Sequence, residues 1–143
     1  MHDRPMRYCL ITADGSITFD TGTLVHIQGL LDRDSVGETG TEFLNSLHPV
    51  TAYYWVPYYE DRRRMNKVAN GMYWELSAPV PRADDEDDDR EPEEYDPEDR
   101  KIKMRGPVAF TNRHDWGLTP DQENTLRQAH ETASRRLRAR GWL

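Results

Sequence analysis

Val50-Thr51-Ala52-Tyr53-Tyr54-Trp55-Val56 is the stretch that decides the fold class. It is dense in β-branched and aromatic side chains and is stopped by Pro57, so it reads as a strand. Downstream, Met65, Val68, Ala69, Met72 and Leu76 recur at helical spacing, which predicts a helix over 65–76. Asn66 suits its N-cap, and Gly71 weakens it by about 1 kcal/mol. Upstream, Leu24, Ile27 and Leu31 fall at i, i+3 and i+7, one face of a short helix, with His26 pointing to solvent. Gly37 to Gly40 is expected to be a loop, and Phe43, Leu44 and Leu47 a further helical turn closed by Pro49.

Further out, Arg7 to Thr12 reads as a strand, Ala13-Asp14-Gly15-Ser16 as a hairpin turn and Ile17-Thr18-Phe19 as its return. Cys9 sits in mid-strand, where a free thiol behaves as a small hydrophobe. Ile102 to Arg105, alternating apolar with basic, and Val108 to Thr111 are expected to form one edge strand with a kink or bulge at Gly106-Pro107, because proline cannot donate to a ladder. Asn112 to Gly117 is a loop carrying His114 and Asp115. The last element has a capping box, with Thr119 at N-cap, Pro120 at N1 and Gln122 at N3. Its apolar face is Leu126, Ala129, Ala133 and Leu137, and Gly141 stops it. The expectation is one α+β domain over 1–143: a small mixed or antiparallel sheet, two or three helices with a long C-terminal one, and a flexible acidic insertion at 82–100.

That insertion carries most of the charge. Asp84 to Asp99 reads D-D-E-D-D-D-R-E-P-E-E-Y-D-P-E-D, twelve carboxylates against Arg90. The chain's net charge is −7, so a run of −11 leaves +4 elsewhere. Two prolines and almost no apolar residues give the run no face to bury; its bland reading is a solvated insertion, and like-charge blocks of this kind often serve as interaction surfaces. Asp84, Asp85, Glu86, Asp87, Asp88, Asp89, Glu93 and Glu94 are therefore candidates for binding a basic protein. The run lacks the Asp-x-Asp-x-Asp-Gly order and closing glutamate of a calcium loop, so no metal is assigned.

The balancing basic residues form a second candidate surface. Tyr58 and Tyr59 precede Arg62, Arg63 and Arg64, aromatics beside arginines, which suits base stacking and phosphate pairing. Arg135, Arg136, Arg138 and Arg140 crowd the end of the last helix, more cations than the helix dipole alone requires. The bland reading of both groups is a solvated loop and a capped helix end.

A combination of short motifs resembles a small-protein family of phages and plasmids, domain of unknown function 3846. The motifs are I-T-A-D-G-S-I (11–17), Asn66-Lys67-Val68-Ala69, G-P-V-A-F-T (106–111) and Leu118-Thr119-Pro120-Asp121-Gln122. Lys67 stands where that family usually has proline, and the acidic insertion departs from it. The resemblance implies a compact α+β fold and a mobile-element setting, and transfers no catalytic residue.

Nothing in the chain nominates an enzyme. The five histidines are scattered without zinc-ligand spacing, no serine sits in a nucleophile elbow, and Gly37 to Gly40 lacks the lysine of a phosphate loop. A single cysteine excludes an intramolecular disulfide and suits a reducing compartment. No apolar run approaches the roughly 20 residues of a membrane span. These features point to a cytoplasmic, non-enzymatic accessory protein without cofactor. Its partner is a host or mobile-element protein with a basic surface; the alternative is a nucleic-acid-binding module built on the arginines.

Overall fold

A computed structural model describes residues 4–31, 36–44, 47, 50–58, 63–77, 104–112 and 117–141. The acidic run, Tyr59, Arg62, His114 and Asp115 lie outside the described residues.

Among the described residues there are five strands and three helices, and the strands form one antiparallel sheet: β1 (Met6–Ile11), β2 (Ile17–Gly22), β3 (Gly37–Phe43), β4 (Val50–Pro57) and β5 (Val108–Asn112). Their spatial order is β2-β1-β5-β4-β3. The pairs β1–β2 and β3–β4 are each antiparallel, and β5 slots between them, opposing β1 (Cys9 with Phe110) and β4 (Ala52 with Phe110). The helices are α1 (Leu24–Gly29), α2 (Lys67–Ser77) and α3 (Pro120–Ala139).

Strand alternation sorts the side chains into two layers. Cys9, Ile11, Val50, Ala52, Val108 and Phe110 face α2 and α3, meeting Val68, Ala69, Met72, Leu76, Leu126, Ala129, Ala133 and Leu137 in the main core. Met6, Tyr8, Trp55 and Ala109 face the opposite way, onto Ile27 and Leu31 in and just after α1. Helical residues thus pack on both faces of the sheet.

Three sequence expectations are corrected. Gly37 to Gly40 is not a loop but the first half of β3. Its glycines have little strand propensity and are placed there by pairing with the strongly β-prone β4. A Cβ on Gly40 would lie 2.7 Å from the Tyr54 ring, so the bare glycine lets that ring cross onto β3. Phe43 is likewise the last residue of β3 and not helical, and Leu44 still donates to the Val50 carbonyl (3.2 Å). A single turn then closes from Leu47 to the Leu44 carbonyl (3.1 Å). Finally, β5 is the central strand, buried at all five positions, and not an edge. Pro107 stands just ahead of it, so none of the five residues of β5 loses its own N–H to proline.

Elsewhere the local signals act as read. Thr119 and Gln122 exchange the two bonds of a capping box, and all four apolar positions of α3 are buried. Cys9 is buried and His26 is exposed.

Candidate functional site

The N-terminus of α2 carries two buried asparagines, Asn66 and Asn70, and it fixes the position of Met104 after the acidic run. Asn66 is fully buried. Its Oδ1 accepts from the Ala69 N–H (3.0 Å), the N-cap bond. Its amide nitrogen donates to the Ile11 carbonyl (2.9 Å) at the end of β1 and the Gly106 carbonyl (2.8 Å) ahead of β5. One turn on, Asn70 is 2% exposed and reads Met104 in both directions, donating to its carbonyl (2.9 Å) and accepting from its N–H (3.1 Å). The bonds of these two amides run to backbone groups, with the Asn70 nitrogen also 3.6 Å from the Met65 sulfur, so the site holds chain and not a ligand.

The arginine cluster beside it is divided in role. The half-buried Arg63 donates through one guanidinium nitrogen to the Leu31 carbonyl (3.0 Å) and through the other to the Trp55 carbonyl. Extending the β4–β5 register places Pro107 opposite Trp55. Proline has no N–H to offer, and the Arg63 fork supplies the missing donor. Gly106, at φ +71°, lies under the same guanidinium, with Arg63 Nη1 2.9 Å from where a Cβ would stand. Arg105 donates to the Arg63 carbonyl (3.0 Å). Arg64 is exposed and close enough to Asp14 to favour its charged form. Tyr58 is 61% exposed at the end of β4.

The second arginine group occupies the end of α3. Arg136 pairs with Glu75 near the end of α2, whereas Arg135, Arg138 and Arg140 are exposed. Two further arginines serve the fold: Arg7 pairs with Glu123 at 3.2 Å, and Arg127 lies over the Phe19 ring, 4.4 Å from its centroid. The described contacts thus hold Arg63 against β4 and the residue Leu31 just after α1, and Arg136 against α2. They use Arg63 and Arg136 in ways that the composition alone did not suggest.

The titratable groups behave as structure. Burial, reinforced by Glu123, pushes the Cys9 thiol far above its usual range, which makes it a poor nucleophile. Asp14 is held down to about 2 by hydrogen bonds from the Thr12 hydroxyl and the Ser16 backbone in the β1–β2 turn. Burial raises the Tyr54 phenol, and the Glu42 carboxylate that accepts its proton adds to the rise. His130 Nε2 lies 2.7 Å from the Gly15 carbonyl, so it carries the proton there and ties α3 to the turn. Among the described residues no three metal-ligating side chains gather.

No helix of the described residues is long and apolar enough to cross a membrane. In comparisons with known proteins, the chain matches no family model, no curated protein and no solved structure.

Proposed function

We propose that this is a non-enzymatic accessory protein of a phage or plasmid that acts by protein binding, with the acidic run at 84–99 engaging a basic host or mobile-element protein. The observation that carries this reading is the division of charge, −11 in the run and +4 in the rest, joined to what the folded part does with its cations. Arg7, Arg63, Arg105, Arg127 and Arg136 are all engaged within the fold, against carboxylates, carbonyls or a ring. Among the described residues the other exposed cations are Arg4, Arg64, Arg135, Arg138 and Arg140, fewer than the twelve carboxylates of the run. A binder of basic surfaces fits that balance better than a reader of phosphates does. Where the partner is itself a nucleic-acid-binding protein, the run competes for its basic site.

The way the run is attached makes the test practicable. The described residues that flank the run are Ser77, at the end of α2, and Met104, which is clamped to Asn70. Seven residues of helix separate Asn70 from Ser77, about 10 Å at 1.5 Å per residue. Removing residues 84–99 leaves ten between the two anchors, which reach roughly 33 Å when extended. The deletion is therefore expected to fold with unchanged thermal midpoint. Affinity capture from the host with full-length and deleted protein should show a basic partner retained only by the full-length form. An identical partner set for both forms would refute the reading.

A further inference from the structure

We infer that the outer edge of β3 is a second binding site, where an extended segment of a partner protein, with lysine or arginine at alternate same-face positions, adds to the sheet as a strand. This surface lies apart in sequence from the acidic run, and its test does not depend on that run.

An open sheet has two edges, here β2 and β3. Proteins blunt such edges because unpaired N–H and C=O groups invite pairing with another chain. The β2 edge is blunted. The bond from the Thr12 N–H to the Ser16 carbonyl (3.0 Å) sets the phase of the β1–β2 pair. Ile17, Phe19 and Thr21 therefore turn their backbone groups outward. The Thr21 N–H is already occupied by the Asp20 carboxylate (2.7 Å), and the Phe19 ring lies under Arg127.

Among the described residues β3 shows neither of these two contacts. Bonds from the Tyr58 N–H to the Val36 carbonyl (3.0 Å) and from the Leu44 N–H to the Val50 carbonyl (3.2 Å) bracket its pairing with β4. Even-numbered residues bond inward, so Gly37, Thr39 and Thr41 present theirs to the outside. Among the described residues no strand pairs with that side. The strand carries no proline and no lysine.

Side-chain alternation specifies the occupant. Glu38, Gly40 and Glu42 share one face, and Thr39, Thr41 and Phe43 the other. Glu38 is exposed, and Glu42 accepts the Tyr54 hydroxyl (3.1 Å) through one oxygen only. Two carboxylates four residues apart, with no cation on the strand, ask for cations four apart on the incoming segment. Thr39, Thr41 and Phe43 suit β-branched residues at the intervening positions. A second copy is a poor occupant. The antiparallel register that overlaps β3 with itself from Gly37 to Phe43 sets Glu38 of one copy opposite Glu42 of the other, like charge against like.

The probe is a capped peptide, Thr-Lys-Val-Thr-Val-Lys-Thr, titrated into the full-length, isotope-labelled protein. A second peptide with glutamate for each lysine serves as its control. Amide exchange at Thr39 and Thr41 should slow with the lysine peptide and stay unchanged with the glutamate one. Thr41→Pro removes an outward N–H without touching the β3–β4 ladder, and should weaken lysine-peptide binding about tenfold. Glu38→Lys should weaken it about threefold and improve binding of the glutamate peptide. Should Thr41→Pro disturb the fold, Glu38→Lys decides, because Glu38 is exposed. Binding that leaves the Thr39 and Thr41 amides unprotected, or is equal in both variants, would place the peptide elsewhere and overturn the inference. A self-association abolished by Thr41→Pro would overturn it too, by giving the edge to a second copy.

Discussion

Asn66→Ala is expected to destabilise the protein by about 3–5 kcal/mol, measured by denaturant unfolding. The substitution strands the Ile11 and Gly106 carbonyls, both held by the Asn66 amide, and leaves the Ala69 N–H without its cap. Each buried group left unpaired costs about 1–3 kcal/mol, and loss of an N-cap about 1 kcal/mol. The terms share one site, so they are not simply additive. Asn66→Asp separates the contributions, because a carboxylate keeps the cap and cannot donate to either carbonyl. It should recover only the smaller part of the loss. A cost below about 1 kcal/mol for the alanine variant would mean that the amide does not hold β1, β5 and α2 together.

Arg63→Ala is expected to cost about 2–3 kcal/mol, discounted from two charge-assisted bonds because the side chain is half-buried. Arg63→Lys is the informative partner. Lysine keeps the charge but lacks the planar fork that reaches two carbonyls at once, so it should restore less than half of the loss. A surface cation awaiting phosphate would behave in the opposite way, with lysine nearly equivalent to arginine and little change in stability on either substitution. Denaturation midpoints of the three proteins distinguish these outcomes.

What the sequence disclosed follows from the range of each interaction. The capping box of α3 was legible because Thr119, Pro120 and Gln122 are local partners, and the burial of Leu126 to Leu137 follows from a four-residue period. The N-cap role of Asn66 was legible for the same reason, since Ala69 is three residues away. Its bonds to Ile11 and Gly106 span 55 and 40 residues, and nothing in a linear reading points to them. β3 was missed because G-E-T-G-T-E-F has weak intrinsic preference, and β4 imposes its conformation through pairing. The central place of β5 was missed because Pro107 argued for an edge, whereas the proline stands just ahead of the strand.

The candidate sites divide along the same line. Three arginines in a row beside two tyrosines suggested a phosphate surface, and a composition-level reading cannot tell an arginine that solvates from one that replaces a missing backbone donor. Arg63 does the latter, and Arg136 is paired with Glu75. Arg64, Arg135, Arg138 and Arg140 remain exposed, so the alternative has defined residues against which to be tested.

The most direct test of protein binding against nucleic-acid binding is a gel-shift at low salt, using the protein that lacks residues 84–99. Deleting the run removes a charge of −11 and leaves a body of +4, the condition most favourable to phosphate contact. The account predicts no shift of duplex DNA or single-stranded RNA by the deleted form. Binding that appears on deletion, weakens steeply with added salt and is lost on neutralising Arg135, Arg138 and Arg140 would contradict it.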